Sequence, residues 1–251
     1  MSLKVYELAR NSLEPFLPPL YKQVRSKLRD EVKRYASPPV ILDVGGRKSP
    51  YTIGIRGSVT IIDLPRNTEL QAALHLGINE KIVRDLKRRR SNVEQFIFGD
   101  MTNSDLQSES FDLVVSVEVL EHVEADEKFV GEVARVLKPG GRFIMTTPNG
   151  DFVQNRNPDH KRHYKKEQLS ELLNRHFQKV DIEYAIAGGY YRKLGLRSWS
   201  VSRPIQTVSS IFGNLVNSVQ SSDKNIGKKA HGTHHLFAVA RKRFSTETSV
   251  I

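Results

Sequence analysis

The sequence has 251 residues, of which 38% are hydrophobic, so it can form one substantial core. It contains no cysteine, which excludes disulfides, zinc sites built on thiolates and cysteine nucleophiles. The formal net charge of +11 suits an anionic partner such as RNA, a phospholipid surface or a phosphorylated substrate. It is equally compatible with a basic enzyme whose surface charge only aids solubility.

The N-terminal segment MSLKVYELARNSLEPF does not have the pattern of a signal peptide, because Lys4, Glu7 and Arg10 interrupt its apolar residues. No apolar run in the sequence approaches the roughly 20 residues that a membrane-spanning helix needs. We therefore expect a cytoplasmic protein, with peripheral contact to the inner membrane surface as an alternative.

The first predicted elements are one helix and two strands. Residues 20–35 carry apolar side chains at helical spacing between proline pairs, which predicts an amphipathic helix. The apolar run at 40–44 is followed by Gly45-Gly46 and predicts a buried strand that meets a tight turn. Residues 59–64 repeat the pattern of a short strand, with Asp63 at its end.

Strands and helices alternate through the rest of the chain. Further strands are predicted at 96–99, 111–117, 142–147, 180–187 and 235–240, and helices at 68–90, 126–137 and 167–177. This alternation is typical of a mostly parallel sheet with helices on both faces. Right-handed crossovers place the strand ends at one edge, where such folds bind ligands. The polar residues at these ends are Asp43, Asp63, Asp100 and Ser116.

Residues 188–234 interrupt the alternation and predict an inserted cap. Asp223 is their only acid, against the basic residues Arg192, Lys193, Arg197, Arg203, Lys224, Lys228 and Lys229. An apolar stripe at helical spacing runs from Ile205 to Val219. This stripe indicates either a surface that meets a membrane and a lipid-linked acceptor, or a lid helix that faces the core, and we favour the lid.

The glycine turn after residue 44 and the acids at the strand ends are typical of a nucleotide-binding site. Glycines let the backbone approach the ligand, and an acid at the end of the second strand accepts hydrogen bonds from ribose hydroxyls. The turn reads GGRKSPY and lacks G-x-G-x-x-G, which argues against a dinucleotide. For each acid taken alone, we favour the explanation that it is a helix cap or a turn former.

Six segments follow one another along the chain: ILDVGGRKSPY, IIDLP, FGDMTN, FDLVVSVEVLEHV, LKPGGRFIMTTPN and HKRHYKKEQLSELL. In this order they resemble the signature blocks of class I S-adenosylmethionine (SAM)-dependent methyltransferases, especially the type 11 and ubiquinone-pathway groups. The resemblance implies a Rossmann-like three-layer α/β fold with a mostly parallel seven-stranded sheet, an antiparallel last strand and a helical cap insertion. The sequence departs from the family around Lys48-Ser49, where the third glycine is replaced, and the short spacing to Val59 implies a short or irregular first helix.

The same resemblance implies SAM as the cofactor and assigns residues to it. The turn after the first strand would lie beneath the methionine moiety, Asp63 would hold the ribose, and Asp100 would read the adenine. The implied cofactor residues are Asp43, Gly45, Gly46, Asp63, Asp100, Met101, Ser116 and Val117.

The segment EVLEHV carries Glu118, Glu121 and His122 at i, i+3 and i+4, so a helix that begins there would place all three on one face. It resembles the magnesium-binding segment of ubiquinone-pathway O-methyltransferases and of small-RNA 2'-O-methyltransferases. That resemblance implies His160 or His163 as a further ligand. Magnesium accepts few protein ligands and keeps waters, which leaves an open site for substrate oxygens.

The alternative is that the segment binds no metal, as in relatives whose acids cap the helix. In that case His122, His163 and Tyr164 are the candidate general bases. The sequence therefore predicts a methyltransferase that acts on an oxygen of a small-molecule or lipid-linked glycan acceptor. An RNA ribose methyltransferase and an inactive cofactor-binding scaffold are the alternatives.

We expect four parts along the chain. An N-terminal helical extension would cover 1–39, the SAM-binding domain 40–187 and 235–243, the inserted cap 188–234, and a flexible tail 244–251.

Overall fold

The computed structural model describes residues 4–46, 50–65 and 79–244. Its strands are β1 (Val40–Val44), β2 (Ser58–Asp63), β3 (Val93–Phe98), β4 (Phe111–Val117), β5 (Leu137–Pro148), β6 (Lys179–Ala187) and β7 (Thr233–Arg241). They form one seven-stranded sheet in the order β3-β2-β1-β4-β5-β7-β6. Only β7 runs antiparallel to its neighbours. The predicted mostly parallel sheet with an antiparallel last strand is confirmed.

The helices are α1 (Val5–Ser12), α2 (Pro19–Val32), α3 (Glu80–Arg89), α4 (Asp126–Val136), α5 (Lys166–Asn174), α6 (Tyr190–Gly195) and α7 (Pro204–Ser221). Single 3-10 turns occur at Glu14–Phe16, Leu120–His122 and Ile226–Lys228. Lys48, Ser49, the first half of the helix predicted at 68–90 and the tail from 245 onward lie outside the described residues. In the described ranges, no helix combines the length and apolarity needed to cross a membrane.

The two faces of the sheet carry different helices. On one face, Phe129, Val130 and Val133 of α4 and Leu169 and Leu173 of α5 are buried in one apolar cluster with the strands. The periodic apolar residues predicted for α4 therefore face the core, as expected. These contacts remove apolar surface from water and fix the helices on the sheet.

The opposite face is covered by α2, which precedes the first strand. Its residues Val24, Leu28 and Val32 are fully or almost fully buried against strand residues such as Ile41 and Val115. Pro19 at the first helical position is well suited to start this helix. Helix α2 is therefore part of the core.

The connection from β1 to β2 contains no helix within the described residues 50–57, in agreement with the short spacing in the sequence. Arg25 of α2 supplies the missing hydrogen bonds: its Nη1 donates to the carbonyl oxygens of Pro50, Tyr51 and Ile53 at 2.9, 3.2 and 2.7 Å. Buried carbonyl groups need such donors. The shape of this loop therefore depends on a side chain from another element.

A second group of buried contacts joins this loop to the end of β1. The Thr52 hydroxyl donates to Asp43 Oδ2 at 2.6 Å and accepts from the guanidinium of Arg90. Asn92 donates to the carbonyl oxygens of Thr52 and Ile55 at 2.6 and 3.0 Å. Asp43 therefore has a structural role in this loop, whatever it does toward a ligand.

The orientation of α7 corrects one expectation. The apolar stripe that we assigned to the core lies on the outer side, and the buried residues of α7 are Ser210, Gly213, Asn214 and Asn217. Small residues allow α6 to approach closely, since a Cβ on Gly213 would lie 2.8 Å from the Gly195 nitrogen. The amides of Asn214 and Asn217 donate to the carbonyl oxygens of Phe16 and Ala187 at 3.0 and 2.8 Å. The inner face is therefore held by hydrogen bonds and close packing.

The role of Arg25 can be tested by Arg25→Met. We expect the free energy of unfolding to fall by about 3 kcal/mol, because methionine fills the space but leaves three loop carbonyls without donors. Urea denaturation followed by circular dichroism measures the change. The control is Lys33→Met, whose side chain is 75% exposed and whose effect should stay within about 0.5 kcal/mol. Equal stabilities of the two variants would contradict the role of Arg25.

Candidate active site

The carboxyl ends of β1, β2 and β4 lie side by side. Val44 pairs with Ile62 in β2 and with Ser116 in β4. The next residue, Gly45, has a φ of +69°, and its N–H donates to the Ile62 carbonyl at 2.9 Å. The edge predicted for these strand ends is therefore present, and the glycine turn lies within it.

The two glycines allow close packing at this turn. A Cβ on Gly45 would lie 2.7 Å from Val119 Cγ2, and a Cβ on Gly46 would lie 2.5 Å from Asp43 Cγ. Gly45 also has the left-handed backbone that glycine adopts most easily. Any side chain at either position would displace its neighbour, so the turn keeps a bare backbone.

The acids of the next two strands take part in their own turns. Asp63 Oδ1 accepts from the Leu64 N–H at 2.9 Å, and Asp100 Oδ1 accepts from the Thr102 N–H at 2.8 Å. Met101 is buried beside Asp100. The Ser116 hydroxyl is buried and has no hydrogen-bond partner within the described residues, which is an unusual state for a polar group.

A cavity of about 230 Å³ lies beyond the end of β4. Its walls come from the start of α2, the loop after β1, the cap and the ends of β4, β6 and β7. Its polar and aromatic lining includes Tyr21, Tyr51, Glu118, Arg192, Asn217 and His235. Of these residues, only Glu118 and the basic cap residue Arg192 were singled out by the sequence analysis. The others are far apart in the chain and belong to no common motif.

Two residues of this cavity have strained backbones. Glu118 and Ile186 have φ values of +55° and +61°, and Glu109 is the only other non-glycine residue with positive φ in the described ranges. Such values are uncommon, most of all for a β-branched residue such as isoleucine. Strained residues persist where the surrounding structure holds them, and they cluster at functional sites.

The backbone of Glu118 also corrects the expectation that EVLEHV begins a helix with three polar residues on one face. Its left-handed conformation interrupts the chain, and only Leu120–His122 is helical. Glu118 consequently lines the cavity, while Glu121 is fully buried.

The Glu118 carboxylate is the acidic group of the cavity lining. It accepts from the Thr146 hydroxyl at 2.9 Å and lies 3.4 Å from His235 Nε2. Burial alone would raise the pKa of Glu118, but His235 and the Thr146 hydrogen bond lower it to about 2. Burial lowers the pKa of the nearby Arg192 to about 10 against the opposing effect of Glu118. At neutral pH the cavity therefore contains one carboxylate and one guanidinium.

Glu121, His122 and His160 form a separate cluster, with ligand atoms all within 4.8 Å of one another. Burial and the negative charge of Glu118 raise the pKa of Glu121. Its Oε2 accepts from Thr147 at 3.3 Å, and its Oε1 has no partner within the described part of the chain. Three of the four predicted metal ligands are thus together. One carboxylate and two imidazoles, however, do not match the oxygen ligands that magnesium prefers.

The predicted general bases His122, His163 and Tyr164 do not line the cavity. The two ring nitrogens of His163 lie 2.9 Å from the Val153 carbonyl and 2.8 Å from His160 Nδ1. The Tyr164 hydroxyl donates to Asp126 at 2.7 Å, and burial together with Asp126 raises the pKa of this tyrosine. Their catalytic roles, like those of His122 and the cofactor residues, stay predictions.

Comparisons with known proteins agree with this arrangement. The family described as "Methyltransferase domain" matches residues 53–145. A probable S-adenosylmethionine-dependent methyltransferase of Mycolicibacterium smegmatis is 34% identical over 122 residues, which cover 47% of this chain and 45% of the relative. A ubiquinone biosynthesis O-methyltransferase of Xanthomonas oryzae is 35% identical over 112 residues, 43% of each chain. The match therefore spans less than half the length of these relatives.

Among solved structures, a SAM-dependent methyltransferase from Archaeoglobus fulgidus has the same fold, with a TM-score of 0.55 at 17% identity over 88% of this chain and 94% of that one. The sheet order and the glycine turn at its edge define a Rossmann-like α/β fold. Together with the matched sequences, they support a class I SAM-dependent methyltransferase family for this chain.

The glycine turn gives a direct test of the cofactor site. Gly46→Ala should weaken binding of SAM by at least about tenfold, because the added methyl group would displace Asp43 and the turn. Isothermal titration calorimetry measures the affinity. Gly131→Ala is the control, since its Cβ would have ordinary contact at 3.4 Å in α4, and it should bind as the unchanged protein does. Unaltered binding by Gly46→Ala would contradict this placement of the cofactor.

Proposed function

We propose that this protein is a SAM-dependent methyltransferase that acts on an oxygen of a small acceptor bound in the cavity beside Glu118. The observation that carries the proposal is the position of this cavity. Glu118, which lines it, directly follows Ser116 and Val117 at the end of β4. A cofactor at the strand edge and an acceptor in the cavity would therefore meet at the same strand end.

The residues at the edge fit SAM. The cofactor carries an ammonium group and ribose hydroxyls but no phosphate, so acids at strand ends suit it and a full phosphate cradle is not needed. We assign the methionine end to the turn of Gly45 and Gly46 and to Ser116, whose buried hydroxyl needs a partner. We assign the ribose to Asp63. When bound, SAM supplies an activated methyl group, and the protein supplies alignment of the acceptor.

The ionised Glu118 supports oxygen as the acceptor atom. A hydroxyl in the cavity would donate to the Glu118 carboxylate, which orients the oxygen toward the methyl group. For each carbon–oxygen bond formed, the bond between that methyl carbon and the cofactor sulfur would break, with its electron pair left on sulfur. The pair of Glu118 and His235 would take the proton that the hydroxyl loses. Arg192 would contact an anionic group on the same acceptor. We derive no step through magnesium, because the donor atoms of the Glu121 cluster do not suit it.

The cavity volume of about 230 Å³ supports a small molecule or the end group of a larger acceptor, such as the terminal sugar of a lipid-linked glycan. RNA is less well supported. The end of α3 carries the basic run Lys87-Arg88-Arg89-Arg90, but Arg90 is 2% exposed and donates to Thr52 in the loop after β1. It is therefore not available to bind a phosphate backbone.

The proposed function is tested by incubating the protein with methyl-labelled SAM and a small-molecule extract, followed by mass spectrometry of the products. We expect label on an oxygen of a low-molecular-weight or lipid-linked product. A parallel reaction with a chelator tests the magnesium hypothesis. Label found only in RNA, or no transfer to any fraction, would contradict the proposal.

Glu118→Gln tests the proposed proton acceptor. The rate of methyl transfer should fall on the order of 100-fold, because a neutral amide cannot share with His235 the proton that the acceptor hydroxyl loses, while the affinity for SAM stays within about threefold. Single-turnover rates and calorimetry separate the two effects. Glu94→Gln, at an exposed position on β3, is the matched control and should retain full activity. A Glu118→Gln variant as fast as this control would rule out the role.

A further inference from the structure

The outer face of α7 is apolar over its whole length. Ile205, Val208 and Val219 are 83%, 66% and 76% exposed, and Phe212 and Leu215 continue the same stripe. The helix sequence PIQTVSSIFGNLVNSVQS contains no charged residue. A helix whose apolar face points outward is unlike the usual surface helix, which turns such a face to the core. These five residues are called the α7 stripe below.

Helix α7 is packed against the rest of the protein through its inner face, opposite the α7 stripe. Asn214 and Asn217 on the inner face are bonded to carbonyl oxygens of the body, and Lys22 of α2 donates to the Ser218 hydroxyl. The inner face is therefore fixed by polar contacts, and α7 cannot rotate its stripe inward without breaking them. The stripe is a stable part of the surface, and exposed apolar patches of this kind mark interaction sites.

Four cationic side chains lie close to the two ends of α7 and in or next to the neighbouring α6. Arg203 immediately precedes α7, and Lys224 follows it, while Lys193 and Arg197 lie in and after the neighbouring α6. All four are exposed. The single acid of the cap, Asp223, is already paired with Lys229 at 2.7 Å. The apolar stripe therefore has a positively charged border.

We propose that the α7 stripe docks on a membrane that contains anionic phospholipids. An amphipathic helix binds there with its apolar face at the boundary of headgroups and acyl chains and with lysine and arginine near the phosphates. A second copy of this chain fits less well, because two such surfaces would bring like-charged borders together in a protein of net charge +11. Charge complementarity thus favours the lipid surface.

Docking would place the cavity directly behind the membrane-bound helix. Asn214 and Asn217, on the inner face of α7, line the cavity, and so does Leu196 at the end of α6. An amphiphilic acceptor could then reach Glu118 from the lipid surface. This last step rests on the proposed function, whereas the docking itself does not.

Sedimentation of the full chain with lipid vesicles tests the docking. We expect binding to vesicles of phosphatidylcholine mixed with phosphatidylglycerol to be at least about tenfold tighter than to phosphatidylcholine alone, and to weaken as salt increases. The double variant Val208→Glu/Val219→Glu should lose this binding by at least about tenfold. The control Val5→Glu/Leu8→Glu makes the same change of charge at exposed residues of α1 and should bind as before. Circular dichroism checks that both variants are folded.

Two outcomes would overturn the proposal. One is equal vesicle binding by the stripe variant and the α1 control. The other is a concentration-dependent dimer in analytical ultracentrifugation that the stripe variant abolishes, without vesicle binding, which would identify a second copy as the partner. Methyl transfer to soluble acceptors is measured separately, and its absence with intact vesicle binding would contradict the proposed function alone.

Discussion

The candidate active site at the ends of β1, β2 and β4 depends on hydrogen bonds to the short connection between β1 and β2. Residues 50–57 form no helix, so their carbonyl groups require donors from elsewhere, chiefly the guanidinium of Arg25 and the amide of Asn92. Because α2 supplies Arg25 and also covers this face of the sheet, the N-terminal segment and the cofactor edge form one structural unit. The same helix brings Tyr21 to the cavity, so the proposed acceptor site depends on α2 too.

Two carboxylates separated by only two residues have opposite electrostatic states. Hydrogen bonding and His235 keep Glu118 ionised, and this charge, together with burial, favours the protonated form of Glu121. The left-handed backbone of Glu118 makes this possible, because it directs one side chain to the cavity and leaves the other in the interior. The i, i+3 spacing of Glu118 and Glu121 would place both on one polar face of a helix, yet the two carboxyl groups lie in different environments.

Periodicity predicted the sheet and most of its helices because strand burial and helix amphipathicity are local patterns, as in 111–117 and 126–137. The strand-edge residues were also predictable, since parallel crossovers fix where strand ends meet. The cavity was not, because Tyr21, Arg192 and His235 come from three distant elements that only tertiary packing unites. The direction of α7 was mispredicted for a related reason: its inner face is selected by asparagine hydrogen bonds and small residues, which hydrophobic periodicity does not register.

The left-handed backbone at Ile186 limits which substitutions can stabilise this protein without altering the cavity. A β-branched residue tolerates that conformation poorly, so its native state is held at the expense of some stability. Glycine would relieve the strain but would remove an apolar wall of the cavity. At this position the requirements of folding and of cavity shape conflict, so a substitution here that raises thermostability would also widen the cavity.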